Sequence, residues 1–187
     1  MIKSKDDLRA YLKADKEALF PNGMRVLDIF NPIYKYQILL RKCEYYRNTS
    51  KLKIYFNPLW ILCKFRFRRL ALKCGFTISE NCFGPGLSIA HYGSIVVNSN
   101  ARIGANCRIH SCVNIGASKT DDDVPTIGNN VYIGPGAKIF GKITIGDNTK
   151  IGANAVVNKN FQGGGTLVGV PASPVNKSKD KSEDDLD

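Results

Sequence analysis

The spacing of hydrophobic residues changes at Gly75. Before it, apolar residues recur every three or four positions in LRAYLKADKEALF, PIYKYQILLRKCEYY and LWILCKFRFRRLALKCGF, a pattern typical of amphipathic helices. Asn31-Pro32 and Asn57-Pro58 each place a capping side chain before a proline, which favours a helix start. Pro21-Asn22-Gly23 predicts a turn, and Gly75 predicts the end of the last helix. The sequence therefore predicts a helical segment over residues 1–75.

After Gly75, aliphatic residues return at every sixth position. The series runs from Val97 to Val157, and ten of its eleven positions are Ile or Val. The residue two positions earlier is mostly small or apolar, so both share one face of a short strand. The Gly, Asn or Asp that follows allows a tight corner. The repeat predicts a parallel β-solenoid over residues 76–175, with Ile stacked on Ile, the helical segment covering one end and FQGGGTLVGVPASPV the other.

One step of the series fails, at Asp121. Residues 117–126 read ASKTDDDVPT, yet Ile127 returns in phase twelve residues after Ile115. The solenoid therefore either extrudes a loop here or contains one irregular coil. A polar loop on a rigid body is a good place for function, and a merely tolerated insertion is the alternative. The last residues, 176–187, have no apolar periodicity and predict a disordered tail.

The net charge of +11 comes entirely from residues 1–75, which hold 17 Lys and Arg against 6 Asp and Glu. The basic segment is either a solvated face with subunit contacts or a peripheral contact with an anionic membrane. It contains no recognised nucleic-acid motif, so no nucleic acid is expected. The six cysteines form no C-x-x-C pair, the charged start is no secretory signal, and no apolar run could span a bilayer. We expect a soluble cytoplasmic protein with free thiols. If the basic segment contacts the membrane, we expect the protein to be peripheral at the inner membrane surface.

Only two histidines are present, His91 in GLSIAHYGSIVV and His110. A strict six-residue phase from Val97 turns His91 into the solenoid, where an ionisable group is costly, and turns His110 outward. His91 is exposed only if the phase slips near Gly93 or the first coil is irregular, which Gly84-Pro85-Gly86 allows. Spacing alone slightly favours His110 as a proton-transfer group, and a purely structural role for both is the alternative.

The segments IGANCRIHSCVNIG and IGNNVYIGPGAKIFGKITIGDNTKIGANAVV, with GVPA at 169–172, resemble the hexapeptide-repeat acyltransferases. The resemblance is to the serine acetyltransferase-like branch, which includes O-acetyltransferases of capsule and exopolysaccharide clusters. It implies a mainly β fold, a left-handed parallel β-helix after the N-terminal α-helical segment. It also implies a homotrimer that binds acetyl-CoA between neighbouring prisms, with no metal.

The resemblance also assigns site residues. The family's catalytic base is a histidine in a His-x-Gly or His-x-Thr context before the Val97-type coil, which makes His91 the base. A hydroxyl is too weak an acid to ionise unaided, so a positioned base must take its proton. His110, Asn98 and Tyr92 become possible acceptor-site residues. The residues similar to the cofactor-binding positions are Gly116, Ala117, Ser118, Gly134, Gly136, Ala137, Gly152, Ala153, Lys138 and Lys159, which would line one groove.

Three departures from the branch concern the acceptor. Ala90 stands where serine acetyltransferases have an Asp that helps to hold the amino acid. Serine acetyltransferases also have an acid that orients the imidazole of the base. In this chain the corresponding position falls near Phe76, and Glu80 is the nearest carboxylate in the sequence. The loop, KTDDDVPTIG, has no second histidine.

These departures favour a sugar or polysaccharide precursor as acceptor. Serine O-acetylation, as in cysteine biosynthesis, is the alternative, and a non-catalytic scaffold is a further one. Carbonic anhydrases of the same fold hold zinc with three histidines, which a chain with two does not offer.

Overall fold

The computed structural model describes residues 1–50 and 57–175. The predicted helical segment consists of α1 (Lys5–Leu19), a short 3-10 helix (Val26–Phe30), α2 (Pro32–Thr49) and α3 (Pro58–Cys74). The predicted starts are confirmed, because the Asn31 and Asn57 side chains each accept hydrogen bonds from the first N–H groups of α2 and α3. Gly75 ends α3 in the left-handed conformation, with φ 79°.

Short parallel strands follow Gly75 and form three sheets. The first sheet contains β1 (Phe76–Ile78), β3 (Ile95–Val97), β6 (Asn114–Gly116), β9 (Lys138–Phe140) and β12 (Val156–Val157). The second contains β4 (Arg102–Ile103), β7 (Thr126–Ile127) and β10 (Thr144–Ile145). The third contains β2 (Ser88–Ile89), β5 (Arg108–Ile109), β8 (Tyr132–Ile133), β11 (Lys150–Ile151), β13 (Thr166–Gly169) and β14 (Ala172–Pro174). Successive strands visit the three sheets in turn, which confirms the predicted solenoid, and the antiparallel pair β13–β14 closes its last coil.

The register of the strands shows how the failed repeat is accommodated. Ile127 pairs with Ile145, 18 residues later, which is one regular coil. Arg102 pairs with Thr126, 24 residues later, so six extra residues leave the prism between β6 and β7. The extruded loop is therefore the correct interpretation, and the irregular coil is wrong. Thr126, placed in the loop by the sequence, is the first residue of β7.

The first coil contains the predicted slip of phase. Ile89 pairs with Ile109 in the third sheet, so Ile89 occupies the position of the six-residue series that comes before Val97. Eight residues separate these two positions, where the regular repeat has six. Phe83 bridges to Ile103, and it lies six residues before Ile89, so Gly84-Pro85-Gly86 does not disturb the phase. The two extra residues lie between Ala90 and Ser94, around His91.

A buried ionic network joins the helices to this first coil. The Arg41 guanidinium is fully buried, 2.8 Å from the Asp15 carboxylate and 3.0 Å from that of Glu44. Arg41 also donates to the carbonyl oxygens of Phe83 and Gly84 in the coil. The Asp15 carboxylate accepts from the backbone N–H groups of Gly86 and Leu87 in the same coil. Buried charges need such complete pairing. The helical segment is therefore fixed to the prism at the coil that carries His91.

Three further predictions concern the cysteines, membrane-spanning helices and the tail. All six cysteines are free thiols, and only Cys112 is exposed. None of the helices among the described residues is long and apolar enough to cross a membrane. The tail predicted at 176–187 lies outside the described residues.

Candidate active site

Both histidines lie at one edge of the prism, which we call the histidine corner. It consists of the turns that lead from the third sheet to the first, at 90–94, 110–113, 134–137 and 152–155. His91 is on the lengthened first turn and is exposed, and His110 directly follows β5 on the next turn. Their ring centroids are 5.7 Å apart. The slip of phase therefore brings His91 out of the prism and beside His110.

His110 is the more enclosed of the two. Its ring centroid lies 5.0 Å from that of Tyr132, and its Nε2 atom is buried without a hydrogen-bond partner. Burial lowers the pKa of His110, and the positive charges of Arg108 and His91 lower it further. A neutral ring with an unsatisfied nitrogen is suited to binding a polar ligand group at this corner.

Neither of the two positions considered for an acidic partner of His91 provides one. Phe76, at the position of the orienting acid, is buried in the core with its ring 5.0 Å from that of Tyr36. The Glu80 carboxylate pairs with Lys64 and with Arg47, so it is committed to the junction with the helices. Burial tends to raise the pKa of Glu80, but these cations outweigh it and lower the pKa. The ionisable ring recorded in contact with His91 is that of His110.

The predicted cofactor residues divide between two corners of the prism. Gly134, Gly136, Gly152 and Ala153 belong to the histidine corner. Gly116 ends β6 and leads into the turns from the first sheet to the second, at 98–101, 117–125, 141–143 and 158–160, which contain Ala117, Ser118 and Lys159. We call this second edge the loop corner. The predicted groove lies between neighbouring prisms, so cofactor residues on two corners of one chain are compatible with it, and their assignment stays a prediction.

Three of these residues have structural roles of their own. Ala137 is fully buried inside the prism, so its side chain is not available to a ligand, and a contact through its backbone stays a prediction. The Lys138 ammonium donates to the Cys112 carbonyl oxygen at 2.6 Å and to Asn114 Oδ1 at 2.9 Å. Glycine is required at 134 by the stacking of coils, since an added Cβ would lie 2.8 Å from the Ile151 carbonyl oxygen.

The predicted acceptor-site residues are also separated. Tyr92 follows His91 and is 53% exposed at the histidine corner, beside the candidate base. Asn98 lies at the other end of β3, on the loop corner, where its Oδ1 accepts from the Asn100 N–H at 2.8 Å. The structure therefore groups His91, His110 and Tyr92 and leaves Asn98 apart.

Tyr132 and Arg108 were missed by sequence reasoning. Both are outward residues of the third sheet, paired in register across β5 and β8, and Arg108 donates to Ser88 Oγ at 2.9 Å. The signal was present in the repeat, because each stands one residue before an inward Ile and so faces outward. Among the described residues, no group of three or more His, Cys, Asp or Glu is placed to hold a metal ion.

Residues 125–159 match the family model described as bacterial transferase hexapeptide, six repeats. The matched residues lie within the solenoid. A serine acetyltransferase of Helicobacter pylori (strain ATCC 700392 / 26695) is 39% identical over 98 residues, which are 51% of this chain and 57% of that protein. A serine acetyltransferase of Buchnera aphidicola subsp. Acyrthosiphon pisum is 31% identical over 184 residues, which are 94% of this chain and 61% of that protein.

Solved structures give the same result for the fold. The serine acetyltransferase of Neisseria gonorrhoeae superposes with a TM-score of 0.69 at 29% identity, over 92% of this chain and 68% of that one. Soybean serine acetyltransferase complexed with serine superposes with a TM-score of 0.73 at 28% identity, over 91% and 70%. The chain spans about half the length of the curated relatives it matches. Its similarity to serine acetyltransferases includes the helices as well as the repeats.

Proposed function

We propose that this protein is an acetyl-CoA-dependent O-acetyltransferase with His91 as the general base. The observation that carries the proposal is the exposure of His91 by a local slip of phase, at a corner of a hexapeptide prism similar to serine acetyltransferases. An ionisable side chain placed outward by a departure from the repeat is available for chemistry, whereas strict phase would bury it.

The proposed reaction is a direct transfer. The acceptor hydroxyl oxygen attacks the thioester carbonyl carbon while His91 takes the hydroxyl proton. The tetrahedral intermediate then collapses, the carbon–sulfur bond breaks, and the proton passes from His91 to the departing thiolate, giving an acetyl ester and free CoA. Backbone N–H groups at the glycine-rich turns are the donors that would stabilise the oxyanion.

Serine is the acceptor that the comparisons favour, so the sugar interpretation becomes the second candidate. The relatives are named serine acetyltransferases, and two structural neighbours were solved in complex with serine. One local observation favours a sugar hydroxyl instead. Ala90 and the histidine-free loop lack the groups that the branch uses for the amino acid. The capsular branch itself finds no support among the relatives.

The same resemblance supports the finer features of the proposal. These features are the left-handed sense of the β-helix, assembly as a homotrimer, and binding of acetyl-CoA in the groove between neighbouring prisms. The division of cofactor residues between two corners supports a shared groove, because one prism presents only one set to each neighbour.

The first test is release of CoA thiol from acetyl-CoA, with L-serine and with a panel of sugars, in wild type and His91→Ala. We expect turnover with L-serine that falls by a factor of about 10² to 10⁴ in the variant, the usual contribution of a general base. Turnover with a sugar and not with serine would establish the second candidate. Turnover that survives His91→Ala unchanged would refute the assignment of the base.

A further inference from the structure

The outer surface of α2 and α3 carries cations without counter-charges. These helices contain nine Lys and Arg, of which Arg41, Arg47 and Lys64 are paired with carboxylates. The only acidic residue in either helix is Glu44, which is 1% exposed and already bonded to Arg41. The other six cations are exposed and form no ion pair within the described residues.

Five of these six cations surround one groove between the two helices, of about 600 Å³: Lys35, Lys42, Arg66, Arg69 and Lys73. The same groove is lined by the apolar side chains of Ile38, Leu39 and Leu70. Among the residues that the structure describes, no carboxylate lines the groove. Cations gathered in a concave surface with low-dielectric walls focus a positive potential, so the groove is complementary to anionic groups.

Exposed apolar side chains stand beside the groove. On α3, Leu62, Phe65 and Leu72 are 54%, 60% and 85% exposed, at spacings of three and seven residues that place them on one side of the helix. The Phe65 ring lies 5.9 Å from the Arg69 guanidinium. The Phe30 ring, 66% exposed, lies 5.0 Å from the Lys35 ammonium. A partner for this surface must therefore offer negative charge and an apolar layer together.

We propose that the α2–α3 groove binds the surface of an anionic phospholipid membrane. Lipid phosphates would lie among the five cations, while Leu62, Phe65 and Leu72 enter the boundary between headgroups and acyl chains. Nucleic acid offers phosphates but no apolar layer for the leucines. A second copy of the same face would bring two unneutralised cationic grooves together. The proposal is independent of acetyl transfer.

The test is co-sedimentation of the full chain with vesicles of phosphatidylglycerol and phosphatidylcholine, against phosphatidylcholine alone. We expect binding to the anionic vesicles only, weakening as salt is raised. The groove variant Arg66→Ala/Arg69→Ala/Lys73→Ala should bind roughly 100-fold more weakly, at about fivefold per cation near the surface. The matched control Lys3→Ala/Lys5→Ala/Lys16→Ala removes the same charge from α1 and its approach, and should stay within about threefold of wild type. Equal losses in the two variants would overturn the proposal.

A second variant separates a membrane from any other polyanion. Leu62→Gln/Phe65→Gln/Leu72→Gln keeps every cation, so its retention on heparin should match wild type while its binding to anionic vesicles falls at least tenfold. Unchanged vesicle binding in this variant would overturn the membrane as the partner. A smaller native mass of the groove variant or of this second variant would also overturn the proposal, because it would show that another copy of the chain covers this face. Far-ultraviolet circular dichroism and the thermal unfolding midpoint report that each variant is folded.

Discussion

At the residue scale, the two histidines differ in how firmly they are held. His91 is exposed on a turn that two additional residues lengthen, whereas His110 is on a turn of regular length and is flanked by Tyr132. A group that takes a proton from a substrate has to reach it, and a group that orients a substrate has to stay still. This difference favours His91 as the base and His110 as a positioning residue.

The protonation of His110 provides a direct check of its environment. We expect the pKa of His110 to lie below the ordinary value of 6.5, and to rise in Arg108→Gln because a neighbouring positive charge is removed. Proton NMR of the imidazole resonances measures both, since only two histidines are present and each can be assigned by substitution. Lys142→Gln, at the other corner, is the control and should leave the value unchanged. A pKa at or above 6.5 in wild type would contradict the buried, cation-flanked site.

The lowered pKa of His110 also fixes the direction in which folding stability changes with pH. The folded chain binds fewer protons than the unfolded chain between the lowered pKa and 6.5, so stability rises with pH through this window. The contribution of a neutral His110 is fully present above pH 6.5 and is lost as the pH falls through the folded-state pKa. His110→Gln should therefore flatten this part of the stability profile.

Cys112 offers a test of where acetyl-CoA binds. It is the one exposed cysteine of six and lies two residues from His110 at the histidine corner. We expect a maleimide to modify one thiol per folded chain, and acetyl-CoA to slow the reaction at least tenfold by covering the corner. Mass spectrometry counts the labels, and Cys112→Ser should abolish labelling. A rate that acetyl-CoA leaves unchanged would place the cofactor elsewhere.

At the scale of elements, asparagine side chains connect the coils at the third corner of the prism, between the second and third sheets. Asn106, Asn130 and Asn148 have positive φ values of 57°, 55° and 58°. The Asn106 carboxamide donates to that of Asn130 at 3.0 Å, and Asn130 donates to Asn148 at 3.2 Å. Asparagine tolerates the left-handed conformation and bonds to its copy one coil away, so one residue type meets both requirements.

The two requirements can be separated by substitution. Asn130→Gly and Asn130→Ala lose the same hydrogen bonds, but only alanine is strained at positive φ. We expect Asn130→Ala to lower the free energy of unfolding by about 1 kcal/mol more than Asn130→Gly, as measured by urea denaturation. Equal losses would mean that the hydrogen bonds alone fix this corner.

Elements that obey a local rule were predictable from the sequence, and the site was predictable only in part. Asn31-Pro32, Asn57-Pro58 and Gly75 mark helix ends through interactions within a few residues. The six-residue series gives the inward faces because strands alternate. The partner of Glu80 and the burial of Arg41 depend on contacts between distant segments, which no local pattern carries. The division of the cofactor residues between two corners required the order of the sheets.

At the scale of the whole molecule, the two corners make a prediction about assembly. If the site joins the histidine corner of one chain to the loop corner of its neighbour, no single chain has a complete site. His91→Ala then damages one half. Deletion of residues 119–124, which returns the loop to the 18-residue coil, damages the other.

Mixed assemblies provide the measurement. Each variant alone should be inactive, while the two refolded together at equal concentrations should recover about a quarter of wild-type activity, the fraction of interfaces with both halves intact. Assemblies of one variant with wild type give the control for random mixing. Recovery that stays at zero, in mixtures that native mass shows to be hybrid, would place the site within one chain.

The two residues inserted beside His91 also bear on descent. A perfectly regular prism is a rod of interchangeable coils, and duplicating a coil only lengthens it. A short insertion at one corner ends this equivalence, because a single position on a single coil now faces the solvent with a side chain that the repeat would have enclosed. Novelty in a repetitive fold can thus begin as an error of copying. Lineages that lose two residues here should keep the rod and lose its chemistry.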